Sequence, residues 1–231
     1  MTKIFCDIAD INLIKSFDKK LIVKGFTTNP SLMRKAGARD YKAYCKNILR
    51  STNKPVSFEV FADNESKMIS QGLKISKWGR NVYVKVPVTN SKGKFMGRVI
   101  NYLNNNKIKL NITAVYTSKQ TKQILKKVDK KTKVIISIFA GRMADKGKDP
   151  VPEFKKSIML AKNYKNVEIL WASVREPYNY LQAKNLGCHI ITVPPSIIEK
   201  IEGRGKSFKQ LTIDTVKAFL FDSKKSKYKL Y

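Results

Sequence analysis

The chain holds one histidine, His189, and three cysteines, Cys6, Cys45 and Cys188, among 231 residues. With no pair of histidines and no thiol cluster, a Cys/His zinc site is excluded, and a carboxylate-held Mg2+ is the one metal site the composition leaves open. No metal or other cofactor is expected. An odd number of cysteines without ligand spacing reads as reduced thiols in a cytoplasmic protein. No apolar run approaches the roughly 20 residues of a membrane span, and the N-terminus enters a strand pattern at once, so neither membrane insertion nor secretion is expected. No Gly-x-Gly-x-x-Gly follows the first strand, which removes the usual sign of a dinucleotide-binding sheet. No internal repeat or low-complexity linker precedes the C-terminus. The expectation is one domain over residues 1–231, ending in a basic tail at 224–231.

Acidic residues are also scarce. Seventeen Asp and Glu stand against 47 Lys and Arg, a formal net charge of +30. Such an excess raises a nucleic-acid hypothesis. Yet it is mostly lysine, spread along the chain with only eight arginines. There is no basic region with heptads, no aromatic RNA-recognition motif and no zinc finger. The reading is a solvated lysine surface with no specific nucleic-acid partner, able to steer small anions. A non-enzymatic basic nucleic-acid-binding protein is the competing reading from a different class.

What the chain does have is alternation. Eight strand patterns, Lys3–Asp7, Ile22–Phe26, Val56–Phe61, the run Asn81 to Thr89, Lys109–Thr113, Val134–Phe139, Val167–Ser173 and His189–Val193, are separated by helical ones. Glu65–Lys77, Lys94–Asn105, Ser118–Val128 and Glu153–Asn163 carry apolar residues at three- and four-residue spacing. Eight strand–helix units in this length predict a single (β/α)8 TIM barrel with an extra C-terminal helix; a doubly wound open sheet is the runner-up. Closing the barrel brings the first and eighth strands together, and with them Cys6 and Cys188.

Lys85 is the most informative residue. Val82, Val84 and Val86 share one face of the fourth strand, which turns Tyr83 and Lys85 the other way. Burial disfavours an ammonium, so either a carboxylate compensates it or the amine is used neutral, as a nucleophile. Assigning the aliphatic residues of each strand to the helix layer sends Phe5, Asp7, Ser57, Glu59, Phe61, Asn111, Thr113, Ser137, Phe139, Trp171 and Ser173 to the interior. The upper barrel thus collects Asp7, Glu59, Lys85, Asn111, Thr113, Ser137 and Ser173. Polar groups from so many strands, converging on the carboxyl ends, read as an active site rather than as packing. A neutral lysine adds to a ketone and yields an iminium ion, an electron sink for breaking the adjacent carbon–carbon bond. Asp7 suits the proton transfers, Glu59 and Thr113 suit holding the water, and asparagines suit sugar hydroxyls.

Five motifs then carry a resemblance. Thr27-Thr28-Asn29-Pro30-Ser31, Val84-Lys85-Val86-Pro87-Val88-Thr89, Asn111-Ile112-Thr113-Ala114-Val115-Tyr116, Phe139-Ala140-Gly141-Arg142 and Ala172-Ser173-Val174-Arg175 resemble transaldolase, in order and over nearly the whole chain. The length is similar to the small transaldolases that include the fructose-6-phosphate aldolases. The resemblance implies a Schiff base on Lys85, which lies on the fourth strand as in that family, and general acid/base work by Asp7. It implies a catalytic water positioned by Glu59 and Thr113, and substrate hydroxyls held by Asn29 and Asn111. Thr27, Ser137 and Phe139 join the substrate-binding set. Ser173, Arg142 and Arg175 match the group that receives the sugar phosphate, a task suited to the guanidinium fork.

Fructose-6-phosphate aldolases resemble this family but carry Gln in place of Glu59 and Tyr in place of Phe139, so transfer is favoured over simple cleavage. Ile138 departs from the family's usual proline, and the charged segment 144–150 stands beside the expected phosphate site. Phosphorylated sugars are the expected substrates, and a fructose-6-phosphate aldolase-type enzyme or a transaldolase-like enzyme on another phosphorylated sugar is the alternative reading. Helices are predicted at Pro194–Lys200 and Ser207–Phe221, around Gly203-Arg204-Gly205. Leu211, Val216, Phe219 and Leu220 give the second more apolar surface than a solvated helix needs. The resemblance implies a homo-oligomer through it; packing on the barrel's own base is the alternative.

Overall fold

The computed structural model describes residues 1–229; Leu230 and Tyr231, the end of the predicted tail, lie outside the described residues. The chain runs through β1 (Lys3–Asp7), α1 (Ile11–Asp18), β2 (Val23–Thr27), α2 (Pro30–Lys35), α3 (Tyr41–Arg50), β3 (Val56–Glu59) and α4 (Glu65–Ser76). It continues through β4 (Val82–Pro87), α5 (Gly97–Asn105), β5 (Leu110–Val115), α6 (Ser118–Leu125), β6 (Val134–Phe139), α7 (Ala140–Ala144) and α8 (Val151–Ala161). Last come β7 (Val167–Ala172), α9 (Tyr178–Asn185), β8 (Ile190–Val193), α10 (Pro195–Glu202) and α11 (Phe208–Lys225). The eight strands are parallel and close into a barrel, β8 pairing with β1. This is the (β/α)8 architecture, not the open sheet.

The alternation of the strands divides the core in two. Ile4, Cys6, Val84, Val86, Leu110, Ile112, Ile136 and Ile138 join the large cluster between strands and helices. Phe5, Tyr83, Ile135, Leu170, Ala172 and Ile190, with Phe139 against them, fill the barrel itself. Gly25 stands opposite Phe5, and a Cβ there would come within 2.6 Å of the Phe5 ring, so the smallest residue makes room for an aromatic ring inside the floor. Ile138 is fully buried on the helix side and touches packing rather than the site.

Several expectations are corrected. Trp171 faces the helices, stacked on Phe154 at 4.3 Å between centroids, while Leu170 and Ala172 point inward. Phe61 lies beyond the end of β3 and is exposed, edge-on to Tyr41. Cys188 precedes β8 at the base, where its carbonyl accepts the Thr2 hydroxyl, whereas Cys6 pairs with Val193 at the far end of that strand. Five residues of strand rise separate the levels of the two thiols, about 16 Å. His189 is structural: its Nδ1 accepts the Ile169 N–H at 3.1 Å, and burial pushes its pKa down. Six of the lysines, from separate stretches of the sequence, meet in space. Turns at the amino ends of the strands bring Lys3, Lys130, Lys131, Lys133, Lys162 and Lys165 around one hollow at the base. The helix α11 runs past the predicted Phe221 to Lys225, taking in the first two residues of the expected tail, and it buries none of its residues.

Candidate active site

Sequence register builds the site. Glu59 of β3, Lys85 of β4 and Asn111 of β5 are direct neighbours across three adjacent strands. Lys85 is 7 % exposed, its Nζ 3.2 Å from Glu59 Oε2 and donating to the Thr28 carbonyl at 3.0 Å. A carboxylate thus compensates the buried amine. The end of β3 is fixed by Tyr41, whose hydroxyl donates to the Glu59 carbonyl and accepts the Glu59 N–H, each at 3.0 Å.

The Thr-Thr-Asn-Pro-Ser motif has a local reason. Asn29 caps α2 by accepting the Leu32 N–H at 2.9 Å, and Pro30 takes the first helical position, where it has no N–H to leave unpaired. With its oxygen so engaged, Asn29 has its NH2 end left for a ligand. Thr27 ends β2 opposite Asp7, donates to Asp7 Oδ1 at 2.6 Å and shares a 2.6 Å hydroxyl contact with Thr192. Burial pushes the Asp7 pKa above its ordinary value, against the opposing pull of the Lys85 charge and the Thr27 hydrogen bond.

Asn111 is held from both sides: its Nδ2 donates to Ser57 Oγ at 3.0 Å, and its Oδ1 accepts the Ser137 hydroxyl at 2.6 Å. The buried Thr113 hydroxyl has no partner among the described residues, which leaves it free for an oxygen inside the cavity. Ala114 next to it, at φ 57°, and Ser173, at φ 62°, occupy the left-handed region that non-glycine residues avoid. Both strained positions lie near carboxyl ends of strands, and Ser173 lines the cavity. At Ser173 this conformation breaks the alternation of β7, so the residue lines the cavity although it follows an inward Ala172.

The cavity has a volume of about 330 Å³. Eleven of the twelve sequence-predicted residues line it: Asp7, Thr27, Asn29, Lys85, Asn111, Thr113, Ser137, Phe139, Arg142, Ser173 and Arg175. Glu59 is the exception and meets the site through Lys85. Arg142 lies over the Phe139 ring, 5.4 Å from its centroid. Arg175 is not free: its Nε and Nη2 grip the Asp145 carboxylate, whose pKa those hydrogen bonds hold below the ordinary range. The sequence reading missed Thr192; it turned Ser57 inward without giving it a role, and it placed Asp145 only within the charged segment 144–150. Strand alternation marks Thr192 as inward beside Ile190; the pairing of Asp145 with Arg175 has no comparable signal. Among the described residues no three His, Cys, Asp or Glu side chains gather as metal ligands.

Together these features define a lysine-centred site at the carboxyl end of a closed (β/α)8 barrel. The family described as Transaldolase/Fructose-6-phosphate aldolase matches residues 4–230. A "Probable transaldolase" of Thermoanaerobacter sp. (strain X514) is 32% identical over 197 residues, 85% of this chain and 87% of the relative. One from Nitrosopumilus maritimus is 33% identical over 201 residues, 86% of each. Another, from Methanococcus maripaludis (strain C7 / ATCC BAA-1331), is 31% identical over 221 residues, 95% and 96%. The chain belongs to the transaldolase/fructose-6-phosphate aldolase family.

Proposed function

We propose that this chain is a class I transaldolase that moves a dihydroxyacetone unit from a ketose phosphate, fructose 6-phosphate or sedoheptulose 7-phosphate, to an aldose phosphate. The observation that carries the reading is the buried Lys85 amine, lining the cavity with Glu59 at 3.2 Å. Attack requires an unprotonated amine, and Glu59 is the carboxylate within reach of its proton. The Nζ adds to the ketose carbonyl; loss of water, held by Glu59 and Thr113, gives the iminium. Asp7 takes the proton of the hydroxyl on the carbon to be released as the carbon–carbon bond breaks, and the electron pair passes to the iminium as an enamine. The enamine then attacks the acceptor aldehyde, Asp7 returns the proton, and water frees Lys85. A carboxyl whose pKa is raised by burial suits a group that both takes and gives a proton. Asn29 and Asn111 hold substrate hydroxyls, Thr27 and Ser137 support them, and Arg142, Ser173 and Arg175 receive the phosphate.

Borohydride with fructose 6-phosphate should label Lys85 covalently, read by peptide mass mapping, and erythrose 4-phosphate as acceptor should yield sedoheptulose 7-phosphate. The variant Lys85→Met should fold and lose both. A protein that keeps its activity without this amine would be a binding module and not the enzyme described. The second reading is a fructose-6-phosphate aldolase. Phe139 favours transfer, because a phenol there would help protonate the enamine and release the fragment. The exchange Phe139→Tyr should therefore raise cleavage without acceptor relative to transfer, and an unmoved ratio removes that role.

We read the chain as one domain and as a cytoplasmic enzyme. Among the described residues no helix is long and apolar enough to cross a membrane. A homo-oligomer is supported by α11, which exposes Phe208, Leu211, Val216, Phe219, Leu220 and Phe221. Packing on the barrel's own base would have buried some of them.

A further inference from the structure

The turn from β6 into α7 is pressed against the exit of β7. A Cβ on Gly141 would lie 1.7 Å from the Ser173 carbonyl oxygen and 3.1 Å from Arg175 Cγ, so only glycine permits this approach. The contact carries Arg142 and the residue capping α7, Asp145, to the place where Ser173 turns the chain. There Arg175 Nε donates to Asp145 Oδ1 at 3.0 Å and Oδ2 at 3.2 Å, and Nη2 donates to Oδ2 at 2.5 Å. The Arg175 backbone N–H donates to Asn179 Oδ1 at 3.0 Å, so main chain and side chain are both tied.

Stability does not explain the pair. Both side chains are about half exposed, and such ion pairs contribute little. The geometry says more. A guanidinium has five N–H donors in a rigid plane, and the carboxylate takes only the edge formed by Nε and one Nη2 hydrogen. The outer edge, with the Nη1 hydrogens and the second Nη2 hydrogen, keeps its capacity for two parallel bonds to an anion.

We propose that Asp145 is a positioning residue that clamps Arg175 by its inner edge so that the outer edge, with Arg142 and Ser173, receives the phosphate of the sugar. This rests on the reading of those three residues as the phosphate group of the site. It also gives the charged segment 144–150 a function through Asp145, which bonds a site arginine. The opposite role, a resident carboxylate that competes with the phosphate for Arg175, predicts effects of opposite sign.

The test uses the full chain with Asp145→Ala and Asp145→Glu. With fructose 6-phosphate, Asp145→Ala should raise KM about tenfold and leave kcat within about twofold, with Asp145→Glu recovering part of the loss. Inorganic phosphate should raise the melting temperature of the parent protein and do so less in Asp145→Ala. A KM and phosphate response that do not move would overturn the proposal, and tighter phosphate binding would assign Asp145 the competing role instead. Borohydride trapping at Lys85 separates this failure from that of the reading beneath it. Trapping retained with an unmoved KM sinks only the clamp, whereas a parent protein that is never trapped sinks the Schiff-base reading while the phosphate shift still tests the clamp.

Discussion

At Asp7 the carboxyl is partly buried beside Thr27 and within the field of the Lys85 amine, and desolvation outweighs both in setting its pKa above the ordinary 3.8. The folded-state value exceeds the unfolded one, so the proton is bound more tightly in the fold. The side chain's contribution is most favourable below about pH 3.8, where both states are protonated, and it is lost as pH rises through the folded value. Asp7→Asn should therefore be more stable than the parent at pH 7, the advantage shrinking as the pH falls toward 4, while transfer is abolished. Thermal unfolding across that range checks it, and an advantage that grew on acidification would contradict the burial argument. Which residues line the cavity was largely legible at this scale, because a polar residue at an inward position stands out against β-branched neighbours. The ion pair of Arg175 with Asp145 was not, since a side chain from a loop after α7 meets one from the exit of β7 only through the close approach at Gly141.

Among the elements, the strands were read better than their ends. The bounds of β1 and β6 agree with the sequence pattern, yet Val56–Phe61 stops at Glu59, and Phe61 turns out into solvent. On β7 alternation was counted from the wrong residue. Trp171 is large enough to fill the gap against Phe154 and goes outward, and Ser173 still reaches the cavity because its left-handed backbone resets the count. A two-residue period cannot foresee such a reset. In β2 the interior is set by the absence of a side chain. Replacing Gly25 with Val should push the Phe5 ring out of the barrel floor and cost about 1–3 kcal/mol, a fall in melting temperature of roughly 3–9 °C. An unchanged melting temperature would mean the floor can repack around Phe5.

For the whole molecule, the unpartnered face of α11 and the distribution of lysine matter most. The apolar residues of this helix leave the barrel uncovered by it and expose Phe219 and Phe221 by about two-thirds of their surface. Val216→Asp with Phe219→Asp should convert an oligomer to monomer, read by analytical ultracentrifugation, with the barrel still folded by circular dichroism. A parent chain that sediments as a monomer would refute the subunit role. The lysine cluster was hidden in the sequence because each αβ turn contributes only one to three charges, and the barrel alone gathers them at the base, away from the cavity mouth.

The three thiols have a practical corollary. Cys6, Cys45 and Cys188 sit on β1, on α3 and just ahead of β8, at most 1 % exposed, and burial pushes Cys45 and Cys188 up to about 12 and Cys6 further. None is nucleophilic while the fold holds, and all become so when it opens. Alkylation by a small reagent therefore clocks the opening of the native chain without an engineered probe, and the order in which the three sites are modified reports which flank parts first.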